Sequence, residues 1–268
     1  MGARLDQHFL INQEVVDTII AAARINPSDR IVEIGPGRGV LTQKLISRAA
    51  QVVAVEMDDG LAPQLAEQFS GDPRLRVIHS DFLKLDLSLL GQDPVKLIAN
   101  LPYSVATPIL QRLLLWPFWT DAVLMFQKEV AERITAGPGS GDYGLLTLSV
   151  LLHARAEMVV EVPRQCFSPR PKVDSAVVRL IRREKPLLLG KSQENFFRIA
   201  KAAFGQRRKM ASGPIAHALC LPRQKVAEAL SRCGVSPACR AQEISLEVYL
   251  RLPAELGCQS GKKAAGEI

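Results

Sequence analysis

The chain has 268 residues, 47% of them hydrophobic, and a formal net charge of +7. This length suits one large domain, or a large one with a small companion, around an ordinary packed core. No run is long and apolar enough to span a bilayer, and the first residues lack the basic-then-apolar layout of a secretion signal, so a soluble cytoplasmic protein with no membrane contact is expected.

The charge is unevenly spread. Residues 1–182 hold 19 Lys+Arg and 20 Asp+Glu, whereas residues 183–268 hold 15 and 7. The whole excess sits in the last third, which points to a polyanionic partner; a plain solvated surface is the alternative. Cys166, Cys220, Cys233, Cys239 and Cys258 form no C-x-x-C pair. That spacing argues against a zinc site and for reduced thiols, and no metal is expected.

In chain order, Asn12 can cap a helix over 13–25, whose Val16, Ile19, Ile20 and Ala23 share a face. A turn at Pro27-Ser28-Asp29 leads to a strand over 30–34, the turn Gly35-Pro36-Gly37-Arg38-Gly39, and a helix to about residue 47. A strand over 51–55 closes on Glu56 and is followed by a helix over 61–68. The strand over 75–78 closes on Ser80-Asp81, and the apolar run over 95–99 reads as a buried parallel strand. A helix over 108–115, a strand over 122–127 and a helix over 129–136 come next. The loop Gly137-Pro138-Gly139-Ser140-Gly141 precedes a helix over 145–152. Strands over 156–162 and 175–181 follow, split by residues 163–173.

Strands alternating with helices predict an α/β fold with a parallel sheet covered on both faces. The last two strands lack an intervening helix and should make an antiparallel edge. Beyond residue 183 the pattern turns helical, over 195–204, 223–231 and 246–252. The expected division is a first domain over 1–183, a helical domain over 184–256 entered through a linker near 184–191, and a polar, frayed tail over 257–268.

The chemistry gathers at strand ends. Asn100-Leu101-Pro102-Tyr103 closes the fourth strand. Asn100 offers an amide oxygen, the Leu101 carbonyl held by Pro102 offers a second acceptor, and Tyr103 offers a face for stacking. Two acceptors and a π-face suit the exocyclic amine of adenine; a Pro-ended turn with a packed Tyr is the plainer alternative. The turn from Gly35 to Gly39 lies where open α/β sheets bind ligands, and its glycines admit close backbone approach. Val40 stands where a dinucleotide fingerprint needs its third Gly, and no P-loop Lys follows. Glu56, about 20 residues on, can accept from both ribose hydroxyls. Asp81 can accept from the cofactor's adenine amine, with Phe82 beside the ring. Glu33 is expected to organise the glycine turn through backbone N–H groups. Together these predict an adenosine-type cofactor held through Gly35, Gly37, Glu56, Asp81 and Phe82.

Gln7-His8-Phe9-Leu10, Val32-Glu33-Ile34-Gly35-Pro36-Gly37, Glu56, Asp81-Phe82, Asn100-Leu101-Pro102-Tyr103, Gln127-Lys128-Glu129-Val130, Phe167-Ser168-Pro169-Arg170-Pro171-Lys172-Val173-Asp174-Ser175 and Gln206-Arg207-Arg208-Lys209 occur in this order. The series, over residues 4 to about 252, resembles the rRNA adenine dimethyltransferases, in particular those of the bacterial small subunit. The turn itself is similar to that of S-adenosylmethionine-dependent methyltransferases. The resemblance implies a seven-stranded methyltransferase sheet with a small all-α C-terminal domain. It implies S-adenosyl-L-methionine as cofactor, touched by His8, Leu10, Gly35, Glu56, Asp81 and Asn100. It also implies dimethylation at N6 of two adjacent adenines near the 3′ end of small-subunit rRNA. Two positions depart from the family: Asp6 stands where Gly is usual, and Met210-Ala211-Ser212-Gly213-Pro214 interrupts the basic helix.

Tyr103 and Phe167 are candidate stacking partners for a base turned out of its neighbours, Phe167 having a core position as its alternative. Arg198, Lys201, Arg207, Arg208 and Lys209 are the candidate phosphate contacts, a solvated basic face being the alternative. His8 is expected to line the cofactor site or serve the structure rather than move protons. The expected partner is small-subunit rRNA within a pre-30S particle, the expected state a monomer. Two rival functions stay open at this point: an erythromycin-resistance type methylase of large-subunit rRNA, and a non-catalytic RNA-binding assembly factor.

Overall fold

In the computed structural model, residues 7–258 are described. Asp6 and the tail beyond residue 258 lie outside them. The chain divides into two compact units, Met1–Thr135 with Ala154–Glu184, and Ala136–His153 with Lys185–Ile268.

The first unit is the α/β half. In chain order it holds β1 (Phe9–Leu10), α1 (Gln13–Ala22), β2 (Arg30–Ile34), α2 (Val40–Ile46), β3 (Gln51–Glu56), α3 (Leu61–Gln68) and β4 (Leu75–His79). Then come β5 (Val95–Asn100), α4 (Ala106–Leu115), β6 (Trp119–Gln127) and α5 (Lys128–Thr135). After an excursion into the second unit, which contributes α6 (Leu145–His153), the chain adds β7 (Ala154–Val162), β8 (Phe167–Ser168) and β9 (Ser175–Arg182). The Asn12 side chain caps α1 as the sequence predicts, accepting from the Val15 N–H at 3.0 Å.

Seven strands form one sheet in the order β4-β3-β2-β5-β6-β9-β7, and β1 pairs separately with β8. Neighbours from β4 to β6 run parallel, while β9 is antiparallel to both β6 and β7. The central strands read as continuous apolar runs because both their faces are covered: Ile31, Val32, Leu97, Ile98 and Ala99 are all buried. The chain moves outward from β2 through β3 to β4 and returns on the other side of β2 as β5. That reversal opens a crevice at the C-terminal ends of β2 and β5. The expected antiparallel edge is present, with β9 inserted between β6 and β7.

The second unit contains α6, α7 (Gly190–Gly205), α8 (Ser212–Leu219), α9 (Arg223–Arg232) and α10 (Leu246–Glu255). Its core joins Leu148 and Leu152 of α6 to Phe196, Ile199, Ile215, Val226, Leu230, Tyr249 and Leu252. The expected division at 183/184 therefore needs correction, because residues 136–153 belong with the helices. Backbone bonds fix this: Gly139 N–H donates to the Gln242 carbonyl at 2.7 Å, and Leu187 N–H to the Leu152 carbonyl at 3.0 Å. The sequence also hides α8. Its Pro214 falls in the first turn, where the missing N–H costs no helical bond, so the departure from the family motif begins a helix rather than a loop.

Candidate active site

The strand order lays four sets of residues side by side: Asp81 after β4, Glu56 at the end of β3, the glycine turn after β2, and Asn100 to Tyr103 after β5. They line one cleft of about 360 Å³ together with His8, Phe9, Leu10, Arg38 and Phe82. Of the residues expected to bind cofactor or to react, all but Phe167 line it.

The turn is built from glycines that no other residue replaces easily. Gly37 has φ +57°, and a Cβ on it would sit 3.2 Å from the Phe9 ring. Gly39 has φ +78°, and a Cβ there would meet Leu65 at 2.8 Å. Glu56 ties this turn to β3. Its Oε2 accepts from Gly37 N–H at 2.9 Å, and its Oε1 accepts from the N–H groups of Met57 and Asp58 at 2.9 and 3.0 Å. A carboxylate has about four acceptor positions, so one, on Oε2, stays open for a hydroxyl. Asp81 Oδ1 accepts from Leu83 N–H at 2.9 Å, and its other oxygen lies 3.8 Å from Lys84. Phe82 is buried along the same wall.

Glu33 does not grip the turn as expected. It is 1% exposed and accepts from the Thr42 hydroxyl of α2 at 2.6 Å. Burial, offset in part by Thr42, pushes its carboxyl up to about 8.

On the acceptor side, Asn100 Nδ2 donates to the His8 carbonyl at 3.2 Å. That bond uses the amide's donor end and leaves Oδ1 with no hydrogen bond among the described residues. The Leu101 carbonyl is likewise without one. Tyr103 is half-buried, and its hydroxyl shares a 2.6 Å hydrogen bond with Ser175 Oγ, which is fully buried. Burial raises the Tyr103 phenol above its ordinary value. The His8 ring stands 5.6 Å from the Tyr103 ring at 35°. Its Nδ1 lies 2.7 Å from the Pro169 carbonyl. A carbonyl only accepts, so Nδ1 carries the proton.

Phe167 takes its alternative role. It is buried in the core with Leu10, Val162, Cys166 and Val177 and, unlike the equally buried Phe82, does not line the cleft. Its segment contributes differently: β8 pairs with β1, Phe167 opposite Leu10 and Ser168 opposite Phe9. Residues 166–175 thus anchor the rings at the cleft, with Ser175 holding Tyr103 and Pro169 holding His8. Phe9, Arg38 and Ser175 receive no role from sequence reasoning, although all three lie in or beside the quoted motifs.

The candidate phosphate contacts take three different settings in the second unit. Arg207 donates to the carbonyls of Gly141 at 2.7 Å and Tyr143 at 3.2 Å, and Arg198 to that of Ala218 at 2.7 Å. Arg208 and Lys209 instead line a concavity of about 550 Å³ with His217, Arg223 and Arg240. Lys201 is exposed on α7. Among the described residues, no cluster of His, Cys, Asp or Glu is arranged to hold a metal ion, and no helix is long and apolar enough to cross a membrane.

A profile of the family described as "Ribosomal RNA adenine dimethylase" matches residues 2–256. The chain is 43% identical over 254 residues to "Ribosomal RNA small subunit methyltransferase A" of Dehalococcoides mccartyi (strain CBDB1), spanning 94% of this chain and 87% of that one. Among solved structures it is similar to a dimethyladenosine transferase from Plasmodium falciparum, with 28% identity, a TM-score of 0.80, and coverage of 93% of this chain and 98% of that one. It is also similar to the 23S rRNA methyltransferase ErmE, with 32% identity, a TM-score of 0.76, and coverage of 93% and 99%.

Proposed function

The chain belongs to the ribosomal RNA adenine dimethylase family, and on that premise we propose that it methylates N6 of two adjacent adenines in the 3′-terminal hairpin loop of small-subunit rRNA, giving N6,N6-dimethyladenosines, with S-adenosyl-L-methionine as methyl donor. The cleft fits that cofactor. Glu56 keeps one open acceptor position for a ribose hydroxyl, Asp81 and Phe82 suit an adenine, and the glycine turn admits close approach.

The observation that carries the reading is the pair of open acceptors, Asn100 Oδ1 and the Leu101 carbonyl, beside the glycine turn. When bound, the cofactor supplies an electrophilic methyl group on its sulfonium. An adenine amine attacks poorly because its lone pair is delocalised into the ring. Acceptors aimed at its two N–H groups favour a tetrahedral nitrogen and return the lone pair to it, so the bonds strengthen toward the transition state. Tyr103, fixed through Ser175, offers the base a stacking face. After the first transfer one N–H remains, so the second round proceeds with one acceptor contact fewer. Once bonded to carbon the nitrogen becomes acidic and gives up its proton to water, so no strong base is required and the work is positioning.

The accepted particle in this reading is a pre-30S subunit, engaged by a cytoplasmic monomer through the basic second unit. Binding there serves also as an assembly checkpoint. Relatives named small-subunit rRNA methyltransferase A, 43% identical in Dehalococcoides mccartyi (strain CBDB1) and 39% in Clostridium botulinum (strain Loch Maree / Type A3), each matched over more than nine-tenths of this chain, favour the small subunit.

The test is tritium transfer from labelled cofactor to each purified subunit from a strain lacking the modification, with the products mapped. Label is expected in small subunits alone. Asn100→Ala is expected to lower kcat/KM about 100-fold or more, and Tyr103→Ala to lower it clearly. Near-wild-type turnover in both would remove the pocket mechanism, and label in large subunits would reassign the substrate.

A further inference from the structure

We propose that Arg38 receives the carboxylate at the amino-acid end of the cofactor. The inference rests on the reading of the cleft as an S-adenosylmethionine site and names the part of that ligand which the residues above leave unrecognised.

Three observations carry it. Arg38 is the one full cation among the described residues lining the cleft, whereas Glu56 and Asp81 are carboxylates. Arg38 also makes no hydrogen bond or ion pair among the described residues. Its guanidinium instead lies over the Phe9 ring, 4.4 Å from the centroid. Finally, that ring has a fixed seat. It packs on Gly37, and its strand is held by β8 and by the bond from Asn100 to the His8 carbonyl. The guanidinium is therefore held in place on an aromatic face, with its planar fork of donors uncommitted.

The strand order supplies the direction. The acidic side chains close β4 and β3, which suits the hydroxyls and amine of an adenosine but repels a carboxylate. Arg38 follows β2, the next strand toward the methyl-acceptor residues of β5. A ligand laid across these strand ends, adenosine over Glu56 and Asp81, runs its anionic end toward Arg38. A guanidinium and a carboxylate pair through two parallel charge-assisted bonds.

The test compares two ligands that differ only in that group, S-adenosyl-L-methionine and decarboxylated S-adenosylmethionine, by calorimetry on the wild type, Arg38→Ala and Arg38→Lys. Arg38 is exposed, so the variants are expected to fold, and circular dichroism checks this. The wild type is expected to prefer the carboxylated ligand about 10- to 100-fold. Arg38→Ala is expected to bind the two alike and the decarboxylated one as the wild type does. Arg38→Lys should keep part of the preference. A preference equal in wild type and Arg38→Ala overturns the proposal. So does unchanged affinity for both ligands with weakened association to small subunits, which would make Arg38 an RNA contact. Failure of the wild type to bind either ligand would sink the cofactor reading itself, a result distinct from loss of discrimination.

Discussion

Glu33 lies on β2, two residues before Gly35, with its side chain buried against α2. With its carboxyl pushed up to about 8 from 4.5, it is protonated in the fold at neutral pH and ionised in the unfolded chain. The native state then holds the extra proton. Glu33 accordingly makes unfolding easier as pH rises from about 4.5 to about 8, at about 1.4 kcal/mol per pH unit. Below that window the penalty is absent, and above it the penalty is complete. Glu33→Gln removes the titration. In urea denaturation, the stability of the variant relative to wild type is expected to climb between pH 5 and pH 8; parallel pH profiles would show that Glu33 does not titrate in this way. Residue placement at the cleft was readable wherever a motif fixes a backbone position: Asn100, Glu56 and Asp81 stand at or just past strand ends because the apolar runs before them define those ends. Phe167 shows the limit. A motif locates a residue along the chain, but a two-residue strand carries no period that tells which way its ring faces.

At the scale of elements, β9 is the reversed strand of the large sheet, and a buried ion pair sits on its seam with β6. Arg179 Nε reaches both oxygens of Asp121 at 3.1 Å, and its Nη2 bonds Oδ2 as well. Both residues are 8% exposed. Such a pair need not out-stabilise apolar residues of equal volume, but removing one partner strands the other charge at a cost of about 3–5 kcal/mol. Asp121→Ala is expected to lose that much in urea unfolding, and Asp121→Leu with Arg179→Met to recover most of it. A loss below 1 kcal/mol in the single variant would mean that the seam is solvated. The main helices and strands were legible because their apolar periods run for several residues. The β1–β8 pair was not, being too short to show alternation. Gly213 and Pro214 masked α8, since the same residues signal a loop unless the first turn of a helix happens to fall on them.

For the whole molecule, the sequence places the surplus charge correctly in the last third but does not sort it. The structure separates Arg207, which is spent on two backbone carbonyls of the segment before α6, from Arg208 and Lys209, which face an open concavity. Arg207→Ala is expected to lower the stability of the second unit by about 1–2 kcal/mol. The double variant Arg208→Ala, Lys209→Ala should leave stability within about 0.5 kcal/mol. It should also reduce the slope of log affinity for small subunits against log salt by up to about 2. Equal salt slopes in wild type and double variant would take these two side chains out of the interface. The boundary near residue 184 was legible from the change to helical texture. The earlier transfer of 136–153 was not, because Leu145, Leu146, Leu148, Leu151 and Leu152 look the same in any core. That transfer bears on dissection of the gene. The backbone changes units at 135/136, 153/154 and 184/185, so no single cut frees a self-sufficient catalytic fragment. A chain stopped at Glu184 would carry Tyr143, Leu148 and Leu152 bare to water. Excision requires deleting 136–153 as well and splicing Thr135 to Ala154 through a new link.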